Sequence, residues 1–146
     1  MSPEAHLVLI EAELALFVSH PLSTRQARLV AALLDVMPDR VYAARRESPG
    51  SILFATDRAD YRRKVLAASP AMALIAALAE GRTRLATIAY RVPAEAVEQM
   101  DVRDFMVSLY NDQTVPRLVL ERDGEQTLAT ELFAQAAAFW SDARAA

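Results

Sequence analysis

Residues 109–125 read LYNDQTVPRLVLERDGE, and the fold turns on that stretch. Val115-Pro116 marks a turn entering an apolar strand, Arg117 to Arg122. Asp123-Gly124 is a dipeptide that tolerates the positive φ angles a two-residue hairpin needs. A return strand over Glu125 to Thr130 completes the hairpin, and Leu132, Ala136, Phe139 and Trp140 then give a last helix one apolar stripe.

Upstream, short apolar runs alternate with helical ones. Ser51 to Thr56 reads as a buried strand after the turn Ser48-Pro49-Gly50, and Leu85 to Val92 as the next strand. Between them, Asp57 to Ala67 has a helical pattern, and Ser69-Pro70 restarts or kinks a helix through Ala71, Leu74, Ile75 and Leu78 to Glu80-Gly81. Pro93 opens another helical region, with Asp101 a cap before Val102, Phe105, Met106 and Leu109. From residue 51 onward the order is strand, helix, strand, helix, strand, strand, helix, which predicts an α/β layer with helices on a central sheet.

The first 38 residues read as helical. Ser2-Pro3-Glu4 is a helix start. The run to Val18 is apolar on nearly every side, so it is either one buried helix or a helix running into a strand at Leu14 to Ser19, and it ends at His20-Pro21. Ser23-Thr24-Arg25-Gln26 fits a capping box, Ala27 to Met37 follows at helical spacing, and Pro38 closes it. Arg40 to Glu47 is ambiguous between helix and strand.

At 146 residues with 53% hydrophobic and 24% charged side chains, the chain has enough material for one folded core. It has no cysteine, so disulfides, thiolate metal sites and thiol catalysis are excluded together. Ala5 to Val18 is too short to span about 30 Å of hydrocarbon and carries Glu11 and Glu13, so neither a membrane anchor nor a secretory leader is expected. The expectation is a cytoplasmic protein. Net charge is −3, and the basic excess over residues 39–64 lacks the interleaved aromatics of a nucleic-acid binder. The three glycines serve as punctuation rather than a phosphate loop. Neither His6 nor His20 has metal-ligand spacing, no serine sits in a nucleophile elbow, and Glu95, Glu98, Asp101 and Asp104 read as a solvated helix face. No cofactor is expected.

The element order resembles the thioredoxin-like fold, three-layered with a mixed central sheet. Val115-Pro116 is similar to that family's cis-proline entry, Pro70 to the proline that kinks its long helix, and Ile52 to Ala55 to its central strand. The resemblance covers residues 39–146 as one domain and leaves 1–38 as an N-terminal helical extension. Where the family carries Cys-x-x-Cys this chain has Arg62-Arg63-Lys64-Val65, so the resemblance is to a degenerate, non-redox member. The missing redox pair, Asp57 after the central strand and the Ser-Pro restart are similar to the hydrogenase-expression HyaE/HupG-type family.

That likeness implies an assembly chaperone or adaptor whose protein partner is a hydrogenase subunit. It also implies a peptide-receiving surface that brings Asp57, Arg58, Tyr61, Arg62 and Arg63 beside Thr114, Val115 and Pro116. Two other readings stand beside it: an enzyme or small-molecule sensor on another α/β scaffold, and a structural subunit that self-associates, as a homodimer, through its N-terminal helices.

Overall fold

Phe17, Leu34, Met72 and Trp140 stand far apart in sequence, yet all four are fully buried in one hydrophobic cluster. The computed structural model describes residues 1–45, 55–93, 100–110 and 112–145. Over these the elements are α1 (Pro3–Ser19), α2 (Thr24–Arg45), α3 (Arg58–Ala68), α4 (Pro70–Ala79), β1 (Arg84–Arg91), α5 (Val102–Tyr110), β2 (Thr114–Arg122), β3 (Glu125–Leu128) and α6 (Ala129–Ala145). The expected turn at Ser48-Pro49-Gly50 and residues 51–54 of the expected strand lie outside the described residues; Ala55 and Thr56 lead into the α3 cap.

Helix starts follow side-chain chemistry. Oxygens of Ser2, Asp57, Ser69 and Asp101 accept from the backbone N–H three residues on, at 3.1, 2.8, 3.2 and 2.7 Å, each satisfying a donor the helix cannot. At α4's far end Gly81 adopts φ 76°. Its N–H bonds Leu78 O at 3.1 Å and that of Arg82 bonds Ala77 O at 2.8 Å, the paired closure of a Schellman motif.

α1 is one helix throughout, which settles the first ambiguity. The expected capping box at Ser23 is half made. Gln26 N donates to Ser23 Oγ at 3.1 Å, but the Gln26 side chain crosses to α1, where Nε2 donates to Glu13 O at 2.9 Å and Glu13 Oε2 at 2.6 Å. α2 also overruns Pro38, where the sequence reading ended it, and continues to Arg45. An interior proline forfeits a helix hydrogen bond and costs about 3 kcal/mol. Here Met37 and Val41, on either side of it, are both buried in the common cluster, and that packing offsets the loss.

The sheet has order β1-β2-β3 and is antiparallel throughout. β1 pairs with β2 from Arg84↔Glu121 to Arg91↔Thr114, and β2 pairs with β3 from Val119↔Leu128 to Arg122↔Glu125 around the Asp123-Gly124 turn. The hairpin is as expected, although its second strand stops at Leu128 because Ala129 already begins α6. One finer expectation is corrected, the cis form of Val115-Pro116. The central strand expected at residues 52–55 lies, except for Ala55, outside the described residues, and among the described strands β2 holds the middle of the sheet. Both neighbours of β2 are antiparallel, so the mixed sheet is not formed among the described residues. The Val115-Pro116 peptide is trans, since no described peptide bond is cis.

Side chains alternate along β2. Leu118 and Leu120 enter the common core with Leu132 and Phe133 of α6, while Arg117 and Val119 face the other way, where Arg117 meets Asp104 of α5. Helices therefore cover both sides of the sheet. The boundary expected at residue 38 falls inside α2, and α1 and α2 supply Leu7, Ile10, Phe17, Val30 and Leu34 to the same cluster as α4 and α6. Phe17 meets Phe133 edge to face with ring centres 5.5 Å apart, and Trp140 Nε1 donates to Met72 Sδ at 3.4 Å.

A chain lacking residues 1–38 is expected to show no cooperative urea transition by circular dichroism, because the apolar burial lost exceeds the roughly 5–15 kcal/mol by which domains are stable. A cooperative transition in that truncation would support residues 39–146 as an independent domain.

Candidate functional site

The side chains expected to form a peptide-receiving surface are mostly committed to holding α3 in place. Asp57 is the α3 cap. Arg58 pairs with Asp39 of α2 at 2.9 Å, and the guanidinium holds the Asp39 carboxyl below its ordinary range. Tyr61 is buried, its ring 5.8 Å from that of Tyr42. Arg62 bridges to α2 twice, pairing with the Asp35 carboxylate and donating to its backbone carbonyl at 2.9 Å. Arg63 pairs with Asp60 one turn back.

Thr114, Val115 and Pro116 begin β2 and pair with Arg91, Tyr90 and Ala89. Val115 is buried and lines a cleft to which α3 contributes no residue. α3 packs on α2 and α4. The two halves of the expected surface thus face different neighbours.

A different feature stands out on α5. Val102, Phe105, Met106 and Leu109 recur at the spacing of a single helix face, and they are 80%, 40%, 47% and 60% exposed. The opposite face is turned inward and mixed: Ser108 is buried, Val107 and Asp104 are half-buried, and Asp104 meets Arg117 of β2 at 2.5 Å. A helix packed only for its own fold would turn its broader apolar face to the sheet, and here only Val107 faces that way. The 102, 105, 106 and 109 periodicity is plain in the sequence, but the same spacing serves a core face, so nothing in it signals exposure.

α5 is positioned by polar ties. Arg117 Nη1 also donates to Pro116 O at 2.8 Å, which fixes the guanidinium under the helix. Ser108 O accepts from Gln113 N at 2.8 Å, and Gln113 O accepts from Val92 N at 3.0 Å, tying the helix exit to the end of β1. Asp112 and Gln113 both adopt left-handed backbone, at φ 52° and 62°, a conformation that costs a non-glycine residue roughly 1 kcal/mol or more.

Beside α5's first turn opens a cleft of about 560 Å³. Its apolar wall includes Val18, Tyr90, Val115 and Leu128, and its polar lining is Asp101, Asp104, Arg117, Thr130 and Glu131. Asp104 is neutralised by Arg117; Asp101 caps α5. Of the carboxylates expected to share a helix face, Glu95 and Glu98 lie outside the described residues. No group of three histidine or acidic side chains among the described residues is placed to hold a metal ion, and no described helix is long and apolar enough to cross a membrane. His6 is structural, with Nε2 donating to Leu33 O at 2.7 Å.

Two measurements test these ties. Asp60 is held far below the usual carboxylate range, first by Arg63 and then by the Thr56 N–H. A depressed carboxyl stabilises the fold fully above its unfolded pKa of about 4, and that contribution fades as pH falls. Asp60→Asn should therefore lower the urea midpoint at pH 6 and differ progressively less from the parent below about pH 4. Arg117→Met should free α5, with its amides exchanging roughly tenfold faster by hydrogen-exchange mass spectrometry for about 1–2 kcal/mol of lost charge-assisted bonding, while β2 keeps its protection.

No protein-family model matches this chain, and no curated protein or solved structure matches it significantly.

Proposed function

We propose that this chain is a non-catalytic protein-binding module, an assembly chaperone or adaptor, that docks its partner on the outward face of α5. The observation that carries this reading is the outward apolar face of that helix: four large apolar side chains turned to solvent while Asp104, Val107 and Ser108 face inward. Exposed apolar surface is costly to keep in water, and contiguous patches of it mark interaction sites. Helix faces with anchors at i, i+3, i+4 and i+7 are a recurrent means of recognition.

The absence of cysteine from the sequence removes thiol exchange as an alternative use of the scaffold. The narrower reading, a degenerate thioredoxin-like chaperone for a hydrogenase subunit, rests on the sequence resemblance. A trans Val115-Pro116 bond and an antiparallel β2 environment lend it no support, and a hydrogenase subunit enters as the first partner to test.

A photo-crosslinking amino acid at Met106 should give one discrete adduct in native cells that the same group at exposed Gln135 on α6 does not. The purified partner should then bind the Met106→Glu variant at least about tenfold more weakly, the loss expected from one apolar anchor. Identical adduct patterns at the two positions, or unchanged affinity, would overturn the docking face.

A further inference from the structure

We infer that the segment received by α5 is an amphipathic helix carrying a lysine or arginine on one flank, the flank that lies over the cleft formed by Tyr90, Asp101 and Glu131. This rests on the docking reading above and names the chemistry of its occupant. On a helix advancing about 100° per residue, Asp101 stands roughly 90° to one side of the stripe's centre line and Arg103 roughly 110° to the other. The stripe is therefore flanked by opposite charges.

The Asp101 side deepens into the cleft. Among the described residues that line it, Asp101, Asp104 and Glu131 share one guanidinium, that of Arg117, which is already bound to Asp104 at 2.5 Å. Glu131 has no ion-pair partner among the described residues. The first turns of α5 and α6 reach the same cleft, and each helix end contributes about half a positive charge, so roughly one negative charge is left over. Tyr90 adds an aromatic ring, which favours cations.

A partner helix laid along Val102, Phe105, Met106 and Leu109 with its basic flank over this cleft gains apolar burial and charge pairing together. The reversed orientation sets that basic flank against Arg103. The charge pattern thus specifies direction as well as composition.

A pair of fluorescent 18-residue peptides tests the inference. Both carry Leu at i, i+3, i+4 and i+7 on an alanine-rich helix; one bears lysines along a single flank and the other glutamates at the same positions. Anisotropy titration at low salt should show the lysine peptide binding at least about fivefold more tightly. Asp101→Asn with Glu131→Gln, which leaves a competent cap at 101, should erase that preference. Glu11→Gln with Asp142→Asn, an equal change of net charge elsewhere, should preserve it.

Equal binding of both peptides that Met106→Glu abolishes would overturn the cationic flank and leave the docking face standing. Lysine-peptide binding that Met106→Glu does not weaken would overturn both, and no binding of the lysine peptide at 100 µM would overturn the flank. In sedimentation, a dimer that Met106→Glu dissolves would assign the stripe to a second copy of this chain instead.

Discussion

Everything else in this molecule is assembled on the register between α1 and α2. Two side chains cross that seam to backbone carbonyls of the facing helix, His6 to Leu33 and Gln26 to Glu13, one running each way. A carbonyl already inside a helix still has a second lone pair, so these bonds add to the helices without dismantling them. They fix the antiparallel pair against sliding, and the fixed pair presents Leu7, Ile10, Phe17, Val30 and Leu34 to α4 and α6 as one apolar floor.

On that floor the sheet has two very different sides. The Leu118 and Leu120 side is anchored by large apolar side chains and shares the helical core. The opposite side is covered by a nine-residue helix tied down through Asp104, Arg117 and Ser108. The first kind of contact is non-directional and contributes stability in proportion to area. The second depends on geometry and adds little net free energy. A single fold thus holds a robust body and a lightly attached appendage.

Local chemistry was the most legible part of the sequence. Caps at Ser2 and Asp101, the helix restart at Ser69-Pro70, the strand expected at Leu85 to Val92 and found at Arg84–Arg91, and the Asp123-Gly124 hairpin were readable because each depends on a few adjacent residues. What failed was long-range. The sequence around Pro38 states the helix-breaking cost but not the burial of Met37 and Val41 that outweighs it. Strand order depends on which partner β2 meets in space, and nothing in the local pattern of residues 84–91 or 114–122 says that these two strands pair directly. At the expected site, Arg62 and Tyr61 look like interface residues by type, yet their partners Asp35 and Tyr42 come from α2, a pairing the spacing of α3 could not reveal. The outward face of α5 was present as a pattern and silent as to direction.

The light attachment of α5 bears on how such a protein can change over generations. Its outward side chains add little to the core, so on the docking reading proposed above, replacing Val102, Phe105, Met106 or Leu109 alters what the helix recognises while leaving the body as stable as before. The exposed face and the core are drawn from separate residues. A lineage can therefore change the surface of one short helix by drift, under no threat of unfolding, whereas the same freedom at Phe17 or Trp140 does not exist.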